Sequence, residues 1–137
     1  MMHSGHLTVE THPDHPGLVR LQACDQPPPV TPQLRCAIRF EDVDTARMHA
    51  HQRLRRRLVD IDAGLYRVDP VTACAAIEAI ALPHRRIMFD PAVESDPGLA
   101  PLIARYRTHT RRVDQVFNAI GIFALVLLLA LGILLGP

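Results

Sequence analysis

Residues Leu34–Phe40 read LRCAIRF, and the stretch that follows, Glu41–Tyr66, reads EDVDTARMHAHQRLRRRLVDIDAGLY. In the first, Leu34, Cys36, Ile38 and Phe40 alternate with Arg35, Ala37 and Arg39, the period of a strand with one buried face and one wet face. In the second the period changes. Met48, His51, Leu54, Leu58, Ile61 and Leu65 recur at spacings of three and four behind Asp44, a candidate N-cap. This predicts an amphipathic helix of about twenty residues that loosens near Gly64. A clean strand running straight into a helix is the pattern of an α+β domain.

The same reading extends to both sides. Upstream, Leu7–Thr11 (LTVET) and Leu18–Cys24 (LVRLQAC) are strand-like runs around HPDHPG, where Pro16-Gly17 signals a turn. A β-hairpin with a histidine-bearing loop is expected there. Asp25–Gln33 (DQPPPVTPQ) holds four prolines and reads as an extended connector. Downstream, Asp69-Pro70 is an N-cap and N1 pair for a second, alanine-rich helix. His84–Asp90 (HRRIMFD) reads as a strand with Ile87 and Phe89 turned inward. Asp96-Pro97 or Ala100-Pro101 opens a last helix with a stripe of Leu99, Leu102, Ile103, Tyr106, Thr110, Val113, Phe117 and Ile120.

That last helix meets no breaker before an apolar tail. Ala119–Leu135 has seventeen residues without a polar side chain, and twelve of them are Leu, Ile, Val or Phe. Val116–Leu135, admitting Asn118, is long enough to cross the ~30 Å hydrocarbon core. At roughly 0.3–0.6 kcal/mol for each large apolar residue near the bilayer centre, insertion is favoured by several kcal/mol. A helix buried in a globular core would need covering residues, and the sequence has none left to supply them. Arg105, Arg107, Arg111 and Arg112 precede the span, so the positive-inside rule puts the preceding domain in the cytoplasm. The same four arginines suit anionic lipid headgroups. Gly121, Ala124 and Gly132 are the small residues on which a neighbouring transmembrane helix could seat.

The expected organisation is a flexible N-terminus over residues 1–6 and a small α+β domain over 7–95, containing a β-hairpin, a strand, two helices and a strand. An amphipathic stem helix follows over 96–115, and one transmembrane helix over 116–136 forms a C-terminal tail anchor. Beginning at Pro97 or Pro101, an unbroken helix would be about 55 Å long. The start, MMHSGHLTVETHPDHPG, carries neither a basic n-region nor an apolar h-region, so the domain is expected to stay where it is made, on the cytoplasmic face of the inner membrane.

Composition narrows function mainly by exclusion. The net charge is +1 and all fifteen basic residues are arginine. Acidic residues interleave with most of them, which argues against nucleic-acid binding. Three cysteines without C-x-x-C spacing suggest neither a disulfide framework nor a thiolate zinc site, and Cys36 and Cys74 read as small core residues. No G-x-S-x-G or phosphate-binding glycine loop occurs, and six aromatic residues without tryptophan cannot form a stacking platform.

Two clusters carry candidate chemistry. His3, His6, His12 and His15 form two H-x-x-H pairs, a spacing at which imidazoles can share Zn, Cu or Ni when a third donor joins them. His49 and His51 point about 200° apart on a helix, so they cannot chelate one ion. His51 belongs with the apolar stripe as a hydrogen-bonded residue. His49 falls with Arg53, Arg56 and Arg57 on a basic face that could dock an acidic partner. The expected function is that of an accessory subunit or assembly factor of a larger membrane complex, partnered by integral-membrane subunits or by its own copies. A His-dependent metal-handling protein at the membrane is the alternative, and an interfacial enzyme acting on lipid or quinone the third option, resting on location alone.

Overall fold

The computed structural model describes residues 2–136, apart from the side chain of Thr110. It is an α+β structure with an antiparallel sheet, followed by a long apolar helix. The described residues form six strands: β1 (Gly5–His12), β2 (His15–Cys24), β3 (Leu34–Phe40), β4 (Leu58–Asp60), β5 (Leu65–Tyr66) and β6 (His84–Phe89). They lie in the order β4-β5-β2-β1-β3-β6, each antiparallel to its neighbour. The helices are α1 (Val43–Leu54), α2 (Pro70–Glu78), the single turn α3 (Pro91–Glu94) and α4 (Leu99–Leu135). The chain divides into a folded unit ending at Tyr106 and a helical unit from Arg107 onward.

β1 and β3 form the centre. Leu7 and Val9 of β1 pair with Ile38 and Cys36 of β3, and all four side chains are fully buried. The expected face of β3 is observed, since Leu34, Cys36, Ile38 and Phe40 are all inside. Ala37 on the other face is buried as well, while Arg39 is exposed. Gly5 and His6 already belong to β1, so the ladder begins inside the segment expected to be flexible. The hairpin turns at Pro13-Asp14 and not at Pro16-Gly17, which lie within β2. The Asp14 amide donates to His12 Nδ1, closing the turn locally.

α1 departs most from expectation. It ends at Leu54 after twelve residues, and its N-cap is Asp42, whose carboxylate accepts from the Thr45 amide and hydroxyl. The buried face is Val43, Ala46, Ala50 and Leu54, one step round from the expected stripe, and Met48 is 62% exposed. A single 3-10 turn, Arg55–Arg57, then leads into the β4–β5 hairpin. Ile61 sits exposed in its turn and Leu65 pairs with Arg20 of β2. Small residues on the true face let α1 lie close to the sheet. The large residues of the expected stripe would have held it away.

α2 shows the same principle. Asp69 caps it by accepting from the Thr72 amide and hydroxyl, and Pro70 opens it. Ala73, Cys74, Ala75, Ala76 and Ile77 are all fully buried, so this helix is covered on nearly every side. β6 carries a bulge opposite Ala37/Ile38, where the register passes from Met88 to Arg86. Ile87 is thereby turned out, against expectation, while Phe89 remains inside. At the start of α4, Leu99 is in the core and Leu102, Ile103 and Tyr106 pack against it. Of the expected stripe beyond Tyr106, Val113, Phe117 and Ile120 are exposed, and the side chain of Thr110 lies outside the described residues.

Candidate functional site

The C-terminal unit is marked by the exposure of its apolar side chains. From Val116 to Leu135 the large apolar residues are all exposed, from 45% at Leu131 to 83% at Ile133 and Leu134. The most apolar eighteen-residue window has a mean hydropathy of 2.7. The helix is therefore long and apolar enough to cross a membrane. Gly121 and Gly132 open onto free space, a Cβ at either meeting no atom within 4 Å, and Ala124 is exposed. Arg107, Arg111 and Arg112 are exposed in the same unit, while Arg105 is exposed in the folded one.

The four N-terminal histidines do not converge. His3 bonds Asp25 at 2.8 Å through Nε2 and Asp44 at 3.3 Å through Nδ1. His6 and His12 stand near opposite ends of β1, about 20 Å apart at ~3.3 Å per residue. His6 is buried between Cys24 and Arg39 in the ladder, with its Nδ1 lacking a hydrogen-bond partner. His12 and His15 do meet across the hairpin turn, with ring centroids 5.2 Å apart. Two imidazoles meet there, that of His12 already accepting from the Asp14 amide at Nδ1. No group of three or more candidate metal ligands occurs among the described residues. His51 is half-buried, and its Nδ1 lies 2.9 Å from the Tyr66 hydroxyl, in keeping with a structural role.

The expected docking face splits in two. Arg53 is not an open docking cation: it donates a 2.7 Å hydrogen bond to the Ala76 carbonyl, and its guanidinium lies 5.7 Å over the Tyr106 ring. Burial lowers its pKa from the ordinary guanidinium value, with Tyr106 opposing the shift. His49, Arg56 and Arg57 are exposed as expected.

Arg56 and Arg57 share a surface that His49 does not line. They line a groove of about 440 Å³ shared with Arg53, Arg67, Asp69 and Tyr106. Arg67 was not expected to take part, since it follows Arg57 by ten residues across a break in periodicity. The β4–β5 hairpin brings it back, and its amide donates to the Arg57 carbonyl at 2.7 Å. Only the RLRRR run (53–57) gave a sequence signal for this place.

Compared with known proteins, the chain matches no family model, no curated protein and no solved structure.

Proposed function

We propose that the chain is a tail-anchored, single-pass membrane protein whose α+β domain serves as an accessory subunit or assembly factor of a larger membrane complex. The observation that supports this is the apolar surface on every side of Val116–Leu135, which a bilayer would cover. The basic residues Arg105, Arg107, Arg111 and Arg112 ahead of the span favour a cytoplasmic domain on the inner membrane.

The test is gentle extraction of the tagged full chain in a mild detergent, followed by mass spectrometry of what accompanies it. An integral-membrane polypeptide at stoichiometric yield is the expected result. A monodisperse protein that runs alone after in-membrane crosslinking would sink the accessory-subunit reading. Protease protection on intact spheroplasts reads the orientation separately, with the domain expected to resist digestion until the inner membrane is opened.

A further inference from the structure

We propose that the groove walled by Arg56, Arg57 and Arg67 is a binding site for a phosphate group, carried by a phospholipid headgroup or by a soluble phosphate compound. The inference goes beyond the accessory-subunit reading and does not depend on it, because every lining residue lies in the folded unit.

Charge placement is the first argument. Arg67 follows the Leu58–Tyr66 pair in the antiparallel ladder, and the hydrogen bond its amide donates to the Arg57 carbonyl sets the two arginines side by side. Like charges directly opposite each other are destabilising unless an anion joins them. Arg56 stands next to Arg57 on the same groove, and Arg53 forms its inner wall.

The missing counter-charge is the second. Two arginines elsewhere on the fold find carboxylates: Arg35 meets Asp90 at 2.7 Å, and Arg86 meets Glu78 at 3.3 Å and Glu94 at 3.7 Å. Among the described residues no carboxylate lies within 4 Å of the guanidinium groups of Arg56, Arg57 or Arg67. Asp69 lines the groove, but its two oxygens are engaged by the Thr72 amide at 3.0 Å and the Thr72 hydroxyl at 2.7 Å.

Shape and dielectric complete the case. A concave space of about 440 Å³ suits a single compact anion and its near substituents better than an extended acidic polypeptide. Arg53, half-buried over the Tyr106 ring, gives it one wall partly withdrawn from water, where a charge-assisted hydrogen bond is stronger. Arginine forks match phosphate oxygens bidentately, which lysine cannot do.

The experiment uses the full chain in a neutral maltoside detergent, titrated with inorganic pyrophosphate in one arm and with micelle-dispersed phosphatidic acid in the other. Binding is read by calorimetry for the parent, for Arg57→Gln, Arg67→Gln and their double variant, and for Arg47→Gln, a control outside the groove with the same charge change as either single variant. Saturable binding weakened about tenfold or more by the double variant, and less than about twofold by Arg47→Gln, is expected. Response to pyrophosphate alone assigns a soluble ligand, and tighter response to phosphatidic acid assigns a headgroup; either supports the site. Equal loss in Arg47→Gln, or absence of saturable binding in both arms, overturns it. Circular dichroism melts establish that the variants are folded, and Arg56→Gln stands in for either single variant that is not.

Discussion

The guanidinium of Arg53 donates to the carbonyl of Ala76 at 2.7 Å, tying the last turn of α1 to the last turn of α2 across twenty-three residues of sequence. Its stacking over Tyr106 brings the start of α4 into the same contact. One side chain thus links three helices, and removing it leaves a part-buried carbonyl unsatisfied. Arg53→Met is expected to cost about 1–3 kcal/mol of stability, the range for a hydrogen bond made by a charged donor. Urea denaturation followed by circular dichroism checks this, with Arg47→Met, on the exposed side of α1, expected within about 0.5 kcal/mol of the parent.

Gly64 predicts a second sensitive position. It adopts φ +67°, and a Cβ placed there would come within 2.4 Å of the Leu21 carbonyl oxygen. The same backbone unit accepts the Leu21 amide at 2.8 Å, so it cannot retreat without losing that bond. Gly64→Ala is expected to destabilise the fold by about 1–3 kcal/mol. A thermal melt of the variant that overlays the parent would refute this account of the turn.

Cys36 on β3 and Cys74 on α2 are neighbouring thiols, both fully buried. Burial pushes the Cys36 thiol well above its ordinary pKa, reinforced by the hydrogen bond to Cys74. Cys24 is only partly buried, with its pKa raised by burial and by Asp25 and Glu10. Iodoacetamide at neutral pH should therefore modify Cys24 slowly, and Cys36 and Cys74 only after urea is added; mass spectrometry of the alkylated peptides reads the order. The sign of the pH effect follows. In the unfolded chain Cys36 ionises near ~8.5, while in the fold it keeps its proton. The folded state binds more protons above that pH, so stability is full below it and declines as pH rises. A Cys36→Ala background should show a shallower alkaline decline.

For the tail, Leu127→Arg puts a charge near the middle of Val116–Leu135 at an insertion cost of about 2.5–3.5 kcal/mol. A measurable loss from the carbonate-resistant membrane fraction is expected, whereas Leu127→Ile should be retained like the parent. Full retention of the arginine variant would count against a spanning helix.

The legible parts of the sequence are those in which one local rule acts alone. The LRCAIRF face, the Asp69-Pro70 helix start and the apolar tail could each be read without neighbours, because alternation, capping and continuous hydrophobicity need none. The long helix expected from Met48 to Leu65 failed for a physical reason. Its large apolar residues fit a helical stripe, yet the sheet offered β2 an edge that Leu65 and Tyr66 could complete, and pairing there ended α1 at Leu54. The close contact was left to Ala46 and Ala50, which a hydrophobicity pattern ranks below Met48 and Ile61. The bulge that turns Ile87 outward is likewise a property of the β3–β6 register and leaves no mark on HRRIMFD by itself.

The candidate groove divides in the same way. The run of arginines that follows α1 was visible, but their cross-strand neighbour, Arg67, was not, because it arrives through a hairpin that exists only once β5 pairs with β2. Arg53 looked like the others in sequence and was taken inward by a carbonyl from another helix. By itself the sequence determined an α+β chain ending in a helix apolar on every side, since composition and period act locally. Tertiary structure alone decided which arginines share a groove and which histidines stay apart, because strand order and register set those distances.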